Sequence, residues 1–202
     1  MINLNHKYIP LFENDTRFFI VTGGRGSAKS FATTSFCCAL SREKNHKILY
    51  TRQTMSSAHL SIIPEFQEKI ELLEMSNQFS INKAEIKNIA SGSEILFRGL
   101  KASSGDQTAN LKSLQGITTW VLDEAEELTD EDKFDTIQRS IRSNNHQNRI
   151  ILILNPATKE HWIYKRFFEG MGVEEGFNGV KDNVTYIHTS FLDNVDHLPA
   201  GS

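Results

Sequence analysis

The chain of 202 residues contains 39% hydrophobic and 23% charged residues, a composition typical of one globular domain rather than a disordered chain. Its formal net charge of −3 excludes a bulk polycation, but it leaves room for a local basic patch that could face DNA. No apolar run approaches the roughly 18 residues that span a bilayer. The only cysteines, Cys37 and Cys38, are adjacent, so an ordinary disulfide between them is implausible. Membrane and disulfide-scaffold classes are therefore excluded, and a reducing, intracellular setting is favoured.

Short apolar segments alternate with longer segments of helical character along the chain. Strands are predicted at residues 17–22, 47–51, 117–122, 149–154 and 184–188, and helices at 29–42, 57–75, 130–142 and 161–169. Residues 85–89 and 94–98 flank a Ser-Gly-Ser turn and predict an inserted β-hairpin, and residues 101–110 are predicted to form a loop. Continuous apolar strands separated by helices are typical of a mainly parallel sheet covered on both faces, so the predicted fold class is α/β.

A glycine-rich segment directly follows the first predicted strand. Its residues are Gly23-Gly24-Arg25-Gly26-Ser27-Ala28-Lys29-Ser30, which match three of the four specified positions of G-x-x-x-x-G-K-[ST]. Glycines let backbone N–H groups wrap around phosphate oxygens, while Lys29 can approach the β- and γ-phosphates and the Ser30 hydroxyl can ligate Mg²⁺. The following helix also points its N-terminal dipole at the anion. We predict a nucleotide-binding loop here; the alternative is a chance strand-to-helix turn.

The second glycine of that pattern is replaced by Ala28. Alanine adds one methyl group and is compatible with a negative φ angle, which we expect at this position. The substitution then weakens the match to the pattern without disrupting the loop.

Two adjacent acids end the third predicted core strand. Asp123 and Glu124 follow the apolar residues 118–122, and the carboxyl edge of an open α/β sheet is where such folds bind ligands. Asp123 is a candidate for holding the Mg²⁺ shell, and Glu124 for polarising a water that attacks the γ-phosphate. The alternative is that these acids only favour the start of the next helix. The long separation between Lys29 and Asp123 leaves room for an added strand, as in the additional-strand catalytic-glutamate class of P-loop NTPases.

Another apolar strand ends at Asn155-Pro156. The Asn155 amide can hydrogen-bond the γ-phosphate or the attacking water and so report on hydrolysis. A plain strand-end turn is the alternative, since Asn-Pro often starts a turn. We favour the functional interpretation because Asn155 repeats the sheet-edge position of Asp123.

Together these motifs resemble the ATPase domain of bacteriophage terminase large subunits, over most of the chain from about Phe18 to about Leu198. The resemblance rests on the arginine within the phosphate loop, on the Asp-Glu-Ala-Glu-Glu segment at 123–127 and on the Asn-Pro pair. Further matching segments are 50–56, 97–100, 111–116 and 161–164. This combination is far more specific than the generic phosphate motif alone.

The resemblance implies an ATP- and Mg²⁺-dependent motor that moves double-stranded DNA into a procapsid in the host cytoplasm. It implies catalytic roles for Arg25, Lys29, Glu124 and Asn155, and metal binding by Ser30 and Asp123. It also implies a ring of identical subunits, with the portal protein and the small terminase subunit as partners. DNA binding is expected to be independent of sequence, sensitive to salt and weak in the monomer.

Several further expectations follow from the resemblance. Residues 1–202 are expected to form a single ATPase domain, without the nuclease domain of the family, so no nuclease activity is expected. Because isolation from the ring removes contacts between subunits, only weak ATP turnover is expected. A neighbouring subunit could supply an arginine to the site, with Arg52, Arg98, Arg139 and Arg142 as candidates. An adenine contact could lie among Tyr8, Pro10 and Phe12, which precede the first strand. The alternatives kept open are a helicase- or recombinase-like ATPase and an ATP-dependent switch with little turnover.

Overall fold

The computed structural model describes residues 4–54, 58–101, 115–156 and 158–197. The strands are Phe18–Gly23 (β1), Lys47–Arg52 (β2), Phe79–Ile81 (β3), Glu85–Asn88 (β4), Glu94–Gly99 (β5), Thr119–Leu122 (β6), Arg149–Leu154 (β7), Gly179–Lys181 (β8) and Val184–Thr189 (β9). The α-helices are Pro10–Glu13 (α1), Lys29–Leu40 (α2), Ala58–Leu72 (α3), Glu131–Gln138 (α4) and Trp162–Tyr164 (α5). Short 3₁₀ helices lie at His6–Tyr8, Ser76–Gln78, Ala125–Glu127 and Phe191–His197, and a π-helical segment, Lys165–Glu169, follows α5.

All of these strands belong to one sheet with the order β3-β4-β5-β2-β6-β7-β1-β9-β8. The six central strands of this order, β5-β2-β6-β7-β1-β9, run parallel to one another. Antiparallel pairs form only at the two edges of the described sheet. This arrangement confirms the predicted mainly parallel α/β fold.

The strand β7 lies between β1, which leads into the phosphate loop, and β6, which leads into the two acids. Because the three strands are parallel, their carboxyl ends meet at one edge of the sheet. In the sheet β7 separates the two motifs, which confirms the predicted additional-strand class, although β7 follows Asp123 in the sequence and the separation between Lys29 and Asp123 holds β2 to β5 instead. This position of β7 also brings the residue after it, Asn155, between the loop and the acids.

The parallel strands are apolar throughout because both faces of the sheet are covered. Phe19 and Val21 of β1 pack on one face in a cluster with residues of α2 and α3, whereas Ile20 packs on the other face with residues of α4 and the segment around α5. Alternating side chains of each strand thus enter two separate cores. None of the described helices is long and apolar enough to cross a membrane.

The predicted hairpin is confirmed, since β4 and β5 pair antiparallel, but it is not an isolated insertion. The second arm, β5, also pairs parallel with β2, and β3 adds a third strand outside β4. The hairpin therefore extends the main sheet at one edge. The loop predicted at 101–110 lies outside the described residues except for Lys101.

Helix boundaries differ modestly from those predicted. The helix α2 ends at Leu40 and α4 at Gln138, earlier than predicted, while α3 continues through Pro64. The helix predicted at 161–169 starts as α5 and then widens into the π-helical segment. There the Gly170 N–H donates to the Lys165 carbonyl at 2.7 Å, and a β-carbon at Gly170 would lie 2.9 Å from that oxygen. Glycine permits this close approach.

Candidate nucleotide site

A cleft of about 570 Å³ opens at the carboxyl edge of the central strands. Residues 24–31 of the phosphate loop and of α2 form one wall, and the acids and Asn155 form the other. Its volume is within the range of small-molecule sites in proteins. The structure therefore brings the nucleotide-binding and catalytic candidates to one cleft, except Gly23, which lies at its base as the last residue of β1.

Two glycines of the loop occupy different environments. A β-carbon at Gly23 would lie 2.1 Å from the Thr189 carbonyl oxygen of β9 and 2.8 Å from the Ser27 Oγ. Gly24, by contrast, has no heavy atom within 4 Å of the position where a β-carbon would be, and it lies at the exposed rim. Close packing against β9 thus explains the first glycine of the motif.

The expectation of a negative φ angle at Ala28 is wrong. Ala28 has φ +64° and ψ +21°, the left-handed conformation, and its carbonyl accepts the first hydrogen bond of α2 from Ala32 at 2.9 Å. This conformation brings the β-carbon of an L-residue close to the carbonyl oxygen, at a cost of about 1–2 kcal/mol. The loop therefore keeps the shape of a glycine-containing phosphate loop, with strain at Ala28.

The Lys29 ammonium group lies at the centre of the cleft wall. Its Nζ donates to the carbonyl oxygens of Gly23 and Gly24 at 2.5 and 2.9 Å, and it lies 3.4 Å from Asn155 Oδ1. Burial lowers the pKa of Lys29, and the nearby acids oppose this shift. Phosphate oxygens entering the cleft would compete with these carbonyls for the ammonium group.

The loop is supported from behind by Tyr8, which is buried. Its hydroxyl donates to the Ser27 carbonyl at 2.6 Å and lies 2.7 Å from Thr189 Oγ1, and burial raises its pKa to about 12. The adenine contact considered for Tyr8, Pro10 and Phe12 is not supported, because none of the three lines the cleft. Near the two ends of the described chain, the residues that do line the cleft are Leu4, Asn5 and Asn194.

The two acids differ strongly in exposure. Asp123 is 2% exposed, whereas the Glu124 side chain is about half exposed within the cleft. Glu124 has a left-handed backbone, φ +53° and ψ +46°, and its N–H donates to Asp123 Oδ1 at 3.1 Å. Burial raises the pKa of the Glu124 carboxyl, Arg52 opposes this shift, and Asp123 adds to it. A raised pKa makes the carboxylate a stronger base.

Arg52 is a site residue whose position the sequence analysis missed. It was considered only as an arginine supplied to a neighbour, yet its Nε and Nη2 lie 2.7 and 2.5 Å from Asp123 Oδ2 within the same chain. In the parallel register of β2 and β6, Thr51 pairs with Leu122, so the next residues, Arg52 and Asp123, lie side by side at the edge of the sheet. Strand pairing would have revealed this contact, but single-sequence patterns do not give it.

Glu126 is the second site residue that was missed, since the sequence predicted no role for it beyond its place in the matching segment at 123–127. Its Oε1 accepts hydrogen bonds from the Asn155 backbone N–H at 3.3 Å and from Asn155 Nδ2 at 2.7 Å. The Asn155 amide oxygen is thereby left to face Lys29. Glu126 thus fixes the orientation of the amide that follows β7.

The remaining candidates divide into two groups. Ser30 and Arg25 line the cleft, and Arg25 is exposed, with no acidic group within 4 Å in the described part of the chain. The arginines Arg98, Arg139 and Arg142 lie away from the cleft. Arg139 makes its nearest ion pair with Asp135 at 3.9 Å.

Comparisons with known proteins agree with this geometry. The model of a family described as phage terminase large subunit matches residues 15–202. The large terminase subunit of Bacillus phage SPP1 is 24% identical over 210 residues, which cover 95% of this chain and 48% of the relative. The chain thus spans about half the length of this curated relative.

Solved structures show the same fold at low identity. The large terminase of a thermophilic bacteriophage, also solved with ADP and with ATP-gamma-S, superposes with a TM-score of 0.75 at 13% identity, covering 98% of this chain and 48% of that one. The N-terminal domain of the DNA packaging ATPase from bacteriophage phi29 superposes with a TM-score of 0.70 at 14% identity, covering 96% and 98%.

Proposed function

The chain belongs to the phage terminase large subunit family, and from that premise we propose that it is an ATPase motor for DNA packaging. The observation that carries this proposal is the convergence of Lys29, the Asp123–Glu124 pair and Asn155 around one cleft. The names of its relatives, a packaging ATPase and a terminase bound to ADP, support the same activity.

ATP binding would begin at the phosphate loop. The backbone N–H groups of residues 24–30 and the dipole of α2 favour an anion, and Lys29 adds a charge for the β- and γ-phosphates. Ser30 and Asp123 fit Mg²⁺, since hydroxyl and carboxylate oxygens are the ligands that it prefers. When bound, this ion would neutralise charge on the phosphates. We propose that Ser30 and Asp123 hold it.

Hydrolysis would then depend on residues that face the γ-phosphate. Glu124 accepts a proton from the attacking water as a general base, for which its exposure to the cleft and raised pKa are suited. Asn155 contacts the γ-phosphate or the water while Glu126 holds its amide. Arg25 at the exposed rim turns toward the transferring phosphoryl group and offsets its developing charge.

We further propose that this activity moves double-stranded DNA into a procapsid in the cytoplasm of the infected cell. The proposed assembly is a ring of identical subunits that works with the portal protein and the small terminase subunit. We propose that residues 1–202 act as a single ATPase domain. The DNA affinity is expected to fall steeply with salt because phosphate contacts release counterions.

Nucleotide binding is tested by calorimetry with Mg-ATP on the parent chain, on Lys29→Ala and on Lys44→Ala. Lys29→Ala should weaken binding by about 10- to 100-fold, because charged hydrogen bonds to the phosphates are lost. Lys44 is exposed and outside the cleft, so its variant should bind like the parent. Failure of the folded parent to take up Mg-ATP would contradict the proposed function.

The base assignment is tested by single-turnover hydrolysis with Glu124→Gln and with Glu127→Gln as the matched control. Glu124→Gln should bind Mg-ATP but hydrolyse it about 10²- to 10⁴-fold more slowly, since the general base is removed. Glu127 lies in the same turn but is exposed and outside the cleft, so its variant should keep the parent rate. Equal rates for all three proteins would remove the assignment of Glu124 as the general base.

A further inference from the structure

The shortest ion pair among the described residues joins Arg52 to Asp123, and Arg52 also approaches Glu124. The Arg52 guanidinium contacts Asp123 Oδ2 through both Nε and Nη2, at 2.7 and 2.5 Å, and its Nε lies 3.8 Å from Glu124 Oε2. The Asp123 carboxylate is almost completely buried and the Arg52 side chain is 22% exposed. One guanidinium thus connects the proposed metal-binding acid with the proposed base.

The Asp123 carboxylate is held by donors on both oxygens. Besides Arg52, the Tyr50 hydroxyl donates to Asp123 Oδ2 at 3.0 Å, and the Glu124 N–H donates to Oδ1 at 3.1 Å. A carboxylate oxygen accepts about two hydrogen bonds at its lone pairs, so Oδ2 is saturated and Oδ1 keeps acceptor capacity. The contacts therefore fix which oxygen remains available for another ligand.

We propose that Arg52 is a positioning residue for ATP hydrolysis: it holds Asp123 so that Oδ1 remains available and keeps Glu124 beside it in the cleft. The role is exerted within one subunit, which differs from an arginine supplied to a neighbour. It rests on the proposed ATPase function and adds a residue to that machinery.

The charge of Arg52 has a second consequence that makes the role measurable. A cation beside Asp123 opposes the binding of a divalent cation, while the fork of the guanidinium orders the carboxylates. Removing Arg52 should therefore lower the Mg²⁺ concentration that nucleotide binding requires and, at the same time, slow hydrolysis. A general loss of folded structure would instead weaken nucleotide binding as well as hydrolysis.

The chain offers a control in Arg42, which follows α2 and has no part in the proposed site. Arg42 is exposed and does not line the cleft. No ion pair within 4 Å joins it to an acid of the described residues. Arg42→Gln thus removes the same charge without touching Asp123 or Glu124.

The experiment compares the parent with Arg52→Gln, Arg52→Lys and Arg42→Gln in the full chain. Calorimetry measures the affinity for ATP over a series of Mg²⁺ concentrations and in EDTA, and quenched-flow measures single-turnover hydrolysis. Thermal unfolding of each variant reports on the fold. For Arg52→Gln we expect the effect of Mg²⁺ on ATP affinity to be half-maximal at a Mg²⁺ concentration several-fold lower than for the parent. We also expect its hydrolysis to be slower by about ten-fold or more.

Arg52→Lys keeps the charge but loses the fork, so its Mg²⁺ dependence should stay near that of the parent while its hydrolysis is still slowed. Because it keeps a cation beside the buried Asp123, this variant tests the proposal even where Arg52→Gln does not fold. Arg42→Gln should resemble the parent in both measurements. The positioning role would be overturned if Arg52→Lys hydrolysed ATP at the parent rate. It would also be overturned if ATP affinity, hydrolysis rate and melting temperature all fell together in the Arg52 variants alone.

Different experimental results would overturn the proposed function and the proposed role of Arg52. A folded parent that binds no Mg-ATP overturns both. A parent that binds and hydrolyses ATP, beside Arg52 variants that match it in Mg²⁺ dependence and rate, overturns the role of Arg52 alone.

Discussion

Ala28 adopts a left-handed backbone at the first turn of α2, where its carbonyl starts the hydrogen bonding of the helix. The conformation is required by the path of the phosphate loop, which turns from β1 into α2 within a few residues. Glycine would adopt it without steric cost. The loop thus keeps its shape although one glycine of the motif is missing.

Replacement of Ala28 by glycine should raise the free energy of unfolding by about 1 kcal/mol, because the strain removed exceeds the extra entropy of the unfolded chain. Ala39→Gly is the matched control, since Ala39 lies in the last turn of α2 in the ordinary right-handed helical conformation. That change should lower the free energy of unfolding, by less than the cost of about 1 kcal/mol in a helix interior. Urea denaturation of the three proteins measures both effects. A lower free energy of unfolding for Ala28→Gly would contradict the inference that the backbone at Ala28 is strained.

The sequence predicted the site residues that follow a strand within a recognisable local pattern. Lys29, Asp123 and Asn155 each follow an apolar run, and parallel strands bring such positions to one edge. Arg52 and Glu126 were missed because their roles depend on contacts with residues of other strand ends. Those contacts are set by strand order and register, which a single sequence does not specify.

At the scale of an element, α4 shows how a local signal sets a helix boundary. The predicted start at Asp130 is confirmed as the N-cap, and its side chain accepts a hydrogen bond from the Lys133 N–H at 3.0 Å. Glu131 and Asp132 in the first turn add favourable charge near the helix dipole. The end at Gln138 was not predicted, since the polar residues that follow carry no strong stop signal.

Asp130→Ala should lower the free energy of unfolding by about 1 kcal/mol, because the cap hydrogen bond is lost. Thr129→Ala, one residue earlier and also exposed, removes a side chain that makes no cap and should change stability little. Thermal and urea unfolding of both variants measure the difference. Equal stabilities of the two variants would show that the cap contributes nothing.

Short strands were the elements that sequence patterns did not reveal. The strands β3 and β8 have three residues each, too few to show a period of two. They form because β4 and β9 offer unpaired edges to them. Likewise, the hairpin of β4 and β5 was visible locally, whereas the parallel pairing of β5 with β2 depends on residues over forty positions away.

At the scale of the whole molecule, the two ends of the described chain are joined beside the cleft. The Asn5 side chain donates to the Asp193 carbonyl at 2.5 Å, and Lys7 Nζ lies 2.9 Å from Asp193 Oδ1. The hydrogen bond from Lys7, together with the Ser190 N–H, lowers the pKa of Asp193 to about 2. Asn194 in turn donates to the Gly26 carbonyl at 3.0 Å.

The lowered pKa of Asp193 predicts a pH-dependent contribution to stability. Since the folded value lies below the unfolded value of about 3.9, the contribution is present above pH 4 and is lost as the pH falls through 2. The stability difference between the parent and Asp193→Asn should therefore shrink between pH 5 and about pH 3. Urea denaturation across this range measures it.

The partner of Asp193 provides the control for that prediction. Lys7→Gln should remove most of the same contribution, and the double variant should lose little more than either single variant, because both changes break one ion pair. Additive losses in the double variant would show that Asp193 is stabilised independently of Lys7.

This junction links the phosphate loop to both ends of the described chain. Asn194 is bonded to the Gly26 carbonyl, and its neighbour Asp193 is bonded to Asn5 and Lys7. A displacement of the loop would therefore stretch these contacts, and a displacement of either terminal segment would shift the loop.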